Sequence, residues 1–111
     1  MPFGLKSSGK QSRGSKRELD RIAEEATTDS YGENEQIAGW CAYLEDVIDL
    51  PCTCKVGQRE ILLTGFDTNK SGSCLLAEVR VQGNEYKVAA ETVAILDKKY
   101  SKYLEAYKEW L

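Results

Sequence analysis

Between Ile22 and Cys54 the chain has no Lys or Arg, yet it carries eight acids there: Glu24, Glu25, Asp29, Glu33, Glu35, Glu45, Asp46 and Asp49. Like charges repel along a chain that must compact, so a fold has to spread them over a surface or neutralise them. The neutralising charge is either a basic segment brought over from elsewhere or a bound cation. Apolar residues in the same stretch narrow the local structure. Ile37, Trp40, Cys41, Leu44 and Ile48 recur at helical spacing, with Glu35, Asp46 and Asp49 on the other face and Glu45 at the margin. This predicts an amphipathic helix ending at Leu50, because Pro51 has no amide to donate and disfavours helix in the residue before it.

Upstream, Ser15 and Glu18 have the spacing of a capping box, and Leu19, Ile22, Ala23 and Ala26 share one helical face. This first helix is expected to fray near Thr27 and Thr28, whose β-branched side chains are weak helix formers. Gly32 suits a left-handed C-cap, and Ser30 with Glu33 offers a second capping box, placing the break between Ser30 and Glu33. Residues 1–14 are rich in Gly, Ser, Lys and Arg with little to bury, and read as a disordered basic arm before a single domain at 15–111.

Downstream of Pro51 the period changes to two, from Cys52 to about Ile95. Arg59–Phe66 is strand-like, and Leu75, Ala77, Val79 and Val81 alternate with Leu76, Glu78, Arg80 and Gln82. Gly83–Asn84 is a two-residue hairpin signal leading into Glu85–Ala90. From Lys98 the helical period returns, with Tyr100, Tyr103, Leu104, Tyr107 and Leu111 on one stripe, expected to pack on the protein's own sheet. The predicted fold is α+β: two N-terminal helices, a small antiparallel β-sheet (SH3-like or open meander) and a C-terminal amphipathic helix.

Charge and residue usage exclude several functions. Lys6, Lys10, Arg13, Lys16 and Arg17 all precede the first acid, so the rest of the chain sets ten bases against eighteen acids. A body that acidic is a poor nucleic-acid binder, since phosphates reward clustered Lys and Arg. No apolar run reaches transmembrane length and no apolar segment follows the basic N-terminus, so neither a membrane span nor a secretory signal is expected, and the expected location is cytoplasmic. There is no His, which removes the commonest general base and the usual partner of a nucleophilic Ser or Cys, so the chain is not expected to be an enzyme. Cys41, Cys52, Cys54 and Cys74 lack paired Cys-x-x-Cys knuckles and are expected as reduced, buried or half-buried thiols rather than zinc ligands.

Two stretches offer oxygen ligands for a hard cation. Asp67, Asn69, Ser71, Gly72 and Glu78 fit the spacing of an EF-hand loop, but strands rather than helices flank them. An extended Cys74–Gln82 carries Glu78 about 13 Å beyond Cys74, too far to close the loop, so a polar hairpin loop is expected. The better candidate is the helix break. Asp29, Glu33 and Glu35 lie there among free backbone carbonyls, and Glu45 and Asp46 can join if the fold brings another segment over them.

The run DSYGENEQIAGWCAYLED with the Leu-Pro junction and strands that follow it resembles the small CcbP-like calcium-binding proteins, first recognised in cyanobacteria. Asp29, Tyr31, Glu33, Glu35, Gln36, Gly39, Trp40, Tyr43, Leu44, Glu45, Asp46 and Pro51 carry the resemblance, and Cys52 departs from the aromatic residue usual after the proline. It implies a non-EF-hand acidic domain that buffers or signals calcium, with Ca2+ as its ligand. The alternative, from another class, is an adaptor whose acidic face docks on a basic protein partner without metal.

Overall fold

A computed structural model of the chain describes residues 15–111. The basic arm expected at 1–14 lies outside the described residues. Helix α1 (Lys16–Ala26) begins where the Ser15 hydroxyl accepts the Glu18 amide at 3.1 Å. Glu18 does not return the favour of a capping box; its carboxylate takes Lys102 of the last helix at 2.9 Å. As expected, α1 ends at the two threonines, whose hydroxyls donate to the carbonyls of Ala23 and Glu24.

The link to α2 (Glu33–Val47) differs in detail from expectation. Gly32 is not a left-handed C-cap: it is extended (φ −122°) and is the N-cap of α2. The left-handed residue is Asp29 (φ 62°), a type whose short polar side chain tolerates that region. In place of a Ser30–Glu33 box, the Glu35 carboxylate accepts the Tyr31 amide at 2.9 Å. Helix α2 stops at Val47, short of Leu50.

Five strands follow: β1 (Cys52–Val56), β2 (Arg59–Thr68), β3 (Leu75–Val81), β4 (Asn84–Ala89) and, after a single 3-10 turn at Ala90–Thr92, β5 (Val93–Ile95). All pairs are antiparallel in the order β4-β3-β2-β1-β5, so a four-strand meander is extended by a last strand that returns beside the first. The β3–β4 turn lies one residue earlier than expected. Its central residues are Gln82 (φ 53°) and Gly83 (φ 82°), and Asn84 already pairs with Val81. A two-residue turn with both centres at positive φ matches the right-handed twist of the flanking strands.

Helix α3 (Lys98–Trp110) starts at Asp97, whose carboxylate accepts the Lys99 amide. It packs chiefly on α1, with further contacts to β5 and α2, rather than on the sheet alone. Leu111, expected on its apolar stripe, is exposed.

One face of the sheet forms the core with the helices: Leu63, Phe66, Leu75, Ala77 and Val79 meet Ile22, Ile37, Trp40, Leu44, Leu104 and Tyr107. The alternation expected in β3 is therefore real: Leu75, Ala77 and Val79 are buried, whereas Leu76, Glu78 and Arg80 between and after them are not. Helices α1 and α2 cross closely at Gly39, where a β-carbon would lie 2.6 Å from the Ala26 carbonyl oxygen. The four thiols are free. Cys54 is buried and Cys41 and Cys52 are half-buried, but Cys74, expected inside, is exposed because it precedes β3 in the hairpin loop. No described helix is long and apolar enough to cross a membrane.

Candidate metal centre

Helix α2 carries four of the five acids singled out at the break, and its length separates them. At 1.5 Å per residue, Glu33 and Glu45 lie about 18 Å apart along the axis. A carboxylate holds calcium at about 2.3–2.6 Å, so no single ion reaches both ends. The fold therefore divides the set into Asp29, Glu33 and Glu35 at the start of α2 and Glu45 and Asp46 near its end.

At the first end, Asp29, Glu33 and Glu35 are exposed around Tyr31, and Glu35 is engaged with the Tyr31 amide. The β2–β3 loop rests on this turn of α2 through a hydrogen bond from the Asn34 side chain to the Ser71 carbonyl at 3.0 Å. That loop has the glycine an EF-hand needs, Gly72 at φ 75°, but its oxygens are already used. The Asn69 side-chain oxygen accepts the amides of Ser73 and Cys74 at 2.8 and 3.0 Å, and one Asp67 oxygen accepts the Thr68 amide at 2.8 Å. The loop is the polar hairpin loop that its flanking strands predict.

The second end of α2 meets the sheet. Strand β1 pairs with β2 only as far as Leu63, which leaves the next part of β2 without a strand neighbour on that side. The Phe66 amide there donates to Glu45 Oε2 at 3.0 Å. Beside it, a β-carbon on Gly65 would lie 3.2 Å from that same Glu45 oxygen and 2.6 Å from Glu78 Oε1. Two carboxylates from α2 and β3 thus share the space above a residue with no side chain.

The sheet register explains the meeting. Gly65 pairs with Glu78 and Glu78 with Lys87, so the three form a row across β2, β3 and β4, with Asp67 two residues along β2. Lys87 Nζ stands 2.8 Å from Asp67 Oδ2 and 3.8 Å from Glu78 Oε2. The hydrogen bond from Lys87, then that from the Thr68 amide, holds the Asp67 carboxyl below its usual range. Cys41, one turn before Glu45, registers the same cluster: burial first, then Glu45, Asp67 and Glu78, push its thiol up to about 11. The extended strand does carry Glu78 away from Cys74, but the hairpin lays it back beside Asp67. Closure of an EF-hand loop is not what joins them.

Asp46 is exposed and has neither an ion pair nor a side-chain hydrogen bond among the described residues. Asp49 lies apart again, in a surface cleft with Pro51, Cys52, Thr53, Asp97 and Tyr100. Of the eight acids between Ile22 and Cys54, only Glu25 meets a cation among the described residues, Arg21 at 3.1 Å. No described basic segment covers the others.

Asp67 and Glu78 were visible in the sequence only as ends of a loop motif. The signal that they belong with Glu45 is Gly65, since a lone glycine inside a strand pattern marks a bulge or a close approach of other groups. A register shift between Leu63 and Gly65 accompanies it. Among the described residues no group of three or more His, Cys, Asp or Glu side chains is drawn together tightly enough to hold an ion. The chemistry of the donors suits a hard divalent cation, being all-oxygen and multiply charged, but only Glu45 and Glu78 already meet over the bare glycine, while Asp67 is held by Lys87.

A small acidic α+β domain, its carboxylates arranged by a helix–sheet seam instead of an EF-hand, is the class these features define. The chain belongs to the CcbP calcium-binding family, whose model, described as calcium binding, matches residues 20–111. Two solved structures share the fold. The crystal structure of CcbP from Anabaena aligns with a TM-score of 0.72 at 16% identity, covering 87% of this chain and 91% of that one. A calcium-binding protein in its calcium-binding form aligns with a TM-score of 0.70 at 16% identity, covering 92% and 94%. No curated protein sequence matches the chain.

Proposed function

We propose that this protein binds Ca2+ at the seam between α2 and the sheet, with Glu45, Glu78 and Asp67 as its carboxylate ligands. The observation that carries the reading is the convergence of Glu45 and Glu78 above Gly65, at 3.2 and 2.6 Å from the point a β-carbon would fill. Calcium in such a site supplies the positive charge that the acid-only stretch lacks. Glu45 would hold the ion from the helix and Glu78 from the strand, while Asp67 turns toward them from its present contact with Lys87. Asp29, Glu33 and Glu35 form a separate, more open acidic group at the other end of α2, and Asp46 contributes field rather than a ligand.

Titration calorimetry with calcium tests this directly. Glu45→Gln is expected to weaken binding at least tenfold, whereas Glu33→Gln at the helix break changes it less than threefold. If Glu33→Gln abolishes binding and Glu45→Gln does not, the ion is held at the break and the seam reading fails. An adaptor that uses its acidic face on a basic protein would show no calcium heat in either case.

A further inference from the structure

Lys87 stands out because, among the described residues, its ion pairs are with two residues of the seam and no others. It projects from β4, directly across from Glu78 in the register, and places its ammonium 2.8 Å from Asp67 and 3.8 Å from Glu78. Its side chain is 50% exposed, so the ammonium can leave for water without disturbing the core. The cluster has no other cation among the described residues, since the neighbouring Arg80 is committed to Glu85.

Resting on the seam reading, we infer that Lys87 is a built-in counter-cation that occupies the carboxylates in the metal-free protein and has to be displaced by calcium. It thereby sets the calcium affinity. Two consequences follow from charge alone. In the metal-free state Lys87 offsets repulsion among Glu45, Asp67 and Glu78, which would otherwise push one another apart. In the calcium-bound state the same ammonium is a like charge beside a divalent ion, and moving it into solvent removes most of that penalty. A neutral side chain at position 87 therefore weakens the metal-free protein and strengthens the ion's hold.

The test compares wild type, Lys87→Met, Lys87→Arg and Arg80→Met by calorimetry with calcium chloride near physiological salt. Arg80 is a matched control, being 48% exposed and ion-paired on the same sheet but not to a seam carboxylate. Lys87→Met is expected to bind calcium about fivefold tighter, the scale of an exposed ion pair. Lys87→Arg and Arg80→Met should stay within twofold of wild type. A second readout needs no metal: Lys87→Met should melt below wild type without calcium, and the gap should narrow at saturating calcium. Equal affinity of Lys87→Met and wild type overturns the counter-cation role while leaving the seam site standing. Unchanged affinity in Glu45→Gln overturns the seam site itself, and the role of Lys87 with it.

Discussion

Gly65→Ala separates calcium binding from folding, because the added methyl would enter the space that Glu45 and Glu78 share. A β-carbon there would meet Glu78 Oε1 at 2.6 Å and Glu45 Oε2 at 3.2 Å, so both carboxylates must turn away. Neither is backbone, and flexible side-chain ends move cheaply. The metal-free cost is then the hydrogen bond from the Phe66 amide to Glu45, about 1 kcal/mol for a partly exposed group. Replacing glycine by alanine returns about 0.4–1 kcal/mol by restricting the unfolded chain. Metal-free stability should therefore change by less than about 0.5 kcal/mol, or a few degrees in melting temperature. With calcium at a hundred times Kd, wild type gains about 2.7 kcal/mol, a rise of roughly 11–20 °C for a domain of this size. A tenfold loss of affinity at the same calcium concentration cuts the gain to about 1.4 kcal/mol and halves the rise. Scanning calorimetry with and without calcium reads both quantities. Gly32→Ala, at an extended residue with nothing within 4 Å of the new carbon, is the control and should keep the full rise. Should Gly65→Ala also keep the full rise, the ion does not lie over Gly65 and is held elsewhere.

Two further outcomes follow from other parts of the fold. Gly39→Ala should destabilise by about 1–3 kcal/mol despite the better helix propensity of alanine, because its β-carbon meets the Ala26 carbonyl at 2.6 Å and α1 must move off α2; thermal melts would reveal it. Thiol chemistry should split by position: Cys74 reacts rapidly with a disulfide reagent at neutral pH, while Cys54, buried and pushed up to about 11, reacts only through unfolding. Because the folded value of Cys54 lies above its unfolded value near 8.5, its contribution is whole below that pH. On the order of 3 kcal/mol is then lost as pH rises from about 8.5 towards 11, visible as a falling melting temperature.

Where local rules suffice, the sequence announces the structure. Ser15 caps α1, Thr27 and Thr28 end it, and the Ile37–Trp40–Leu44 stripe of α2 faces the core, since each depends on neighbours within a few residues. Boundaries set by a choice between equal local options came out differently. Asp29 rather than Gly32 took the left-handed turn, and Gln82–Gly83 rather than Gly83–Asn84 took the hairpin. Strands β1 and β5 were lost in a general period-two stretch because short strands are defined by their partners, here β2 and β1.

The candidate site shows the same division. The sequence by itself determined that an acid-only segment would sit on an amphipathic helix with no nearby base, that the domain would be α+β, and, through the resemblance carried by residues 29–46 and Pro51, that calcium is the ion to ask about. It could not tell which acids meet. Glu45, Asp67 and Glu78 are far apart along the chain, and they come together because β1 stops at Leu63, the hairpin register sets Gly65 against Glu78, and α2 lies over the gap. Pairing register and helix placement are collective properties of the packed core, so only the tertiary structure could bring those carboxylates together and set Lys87 against them.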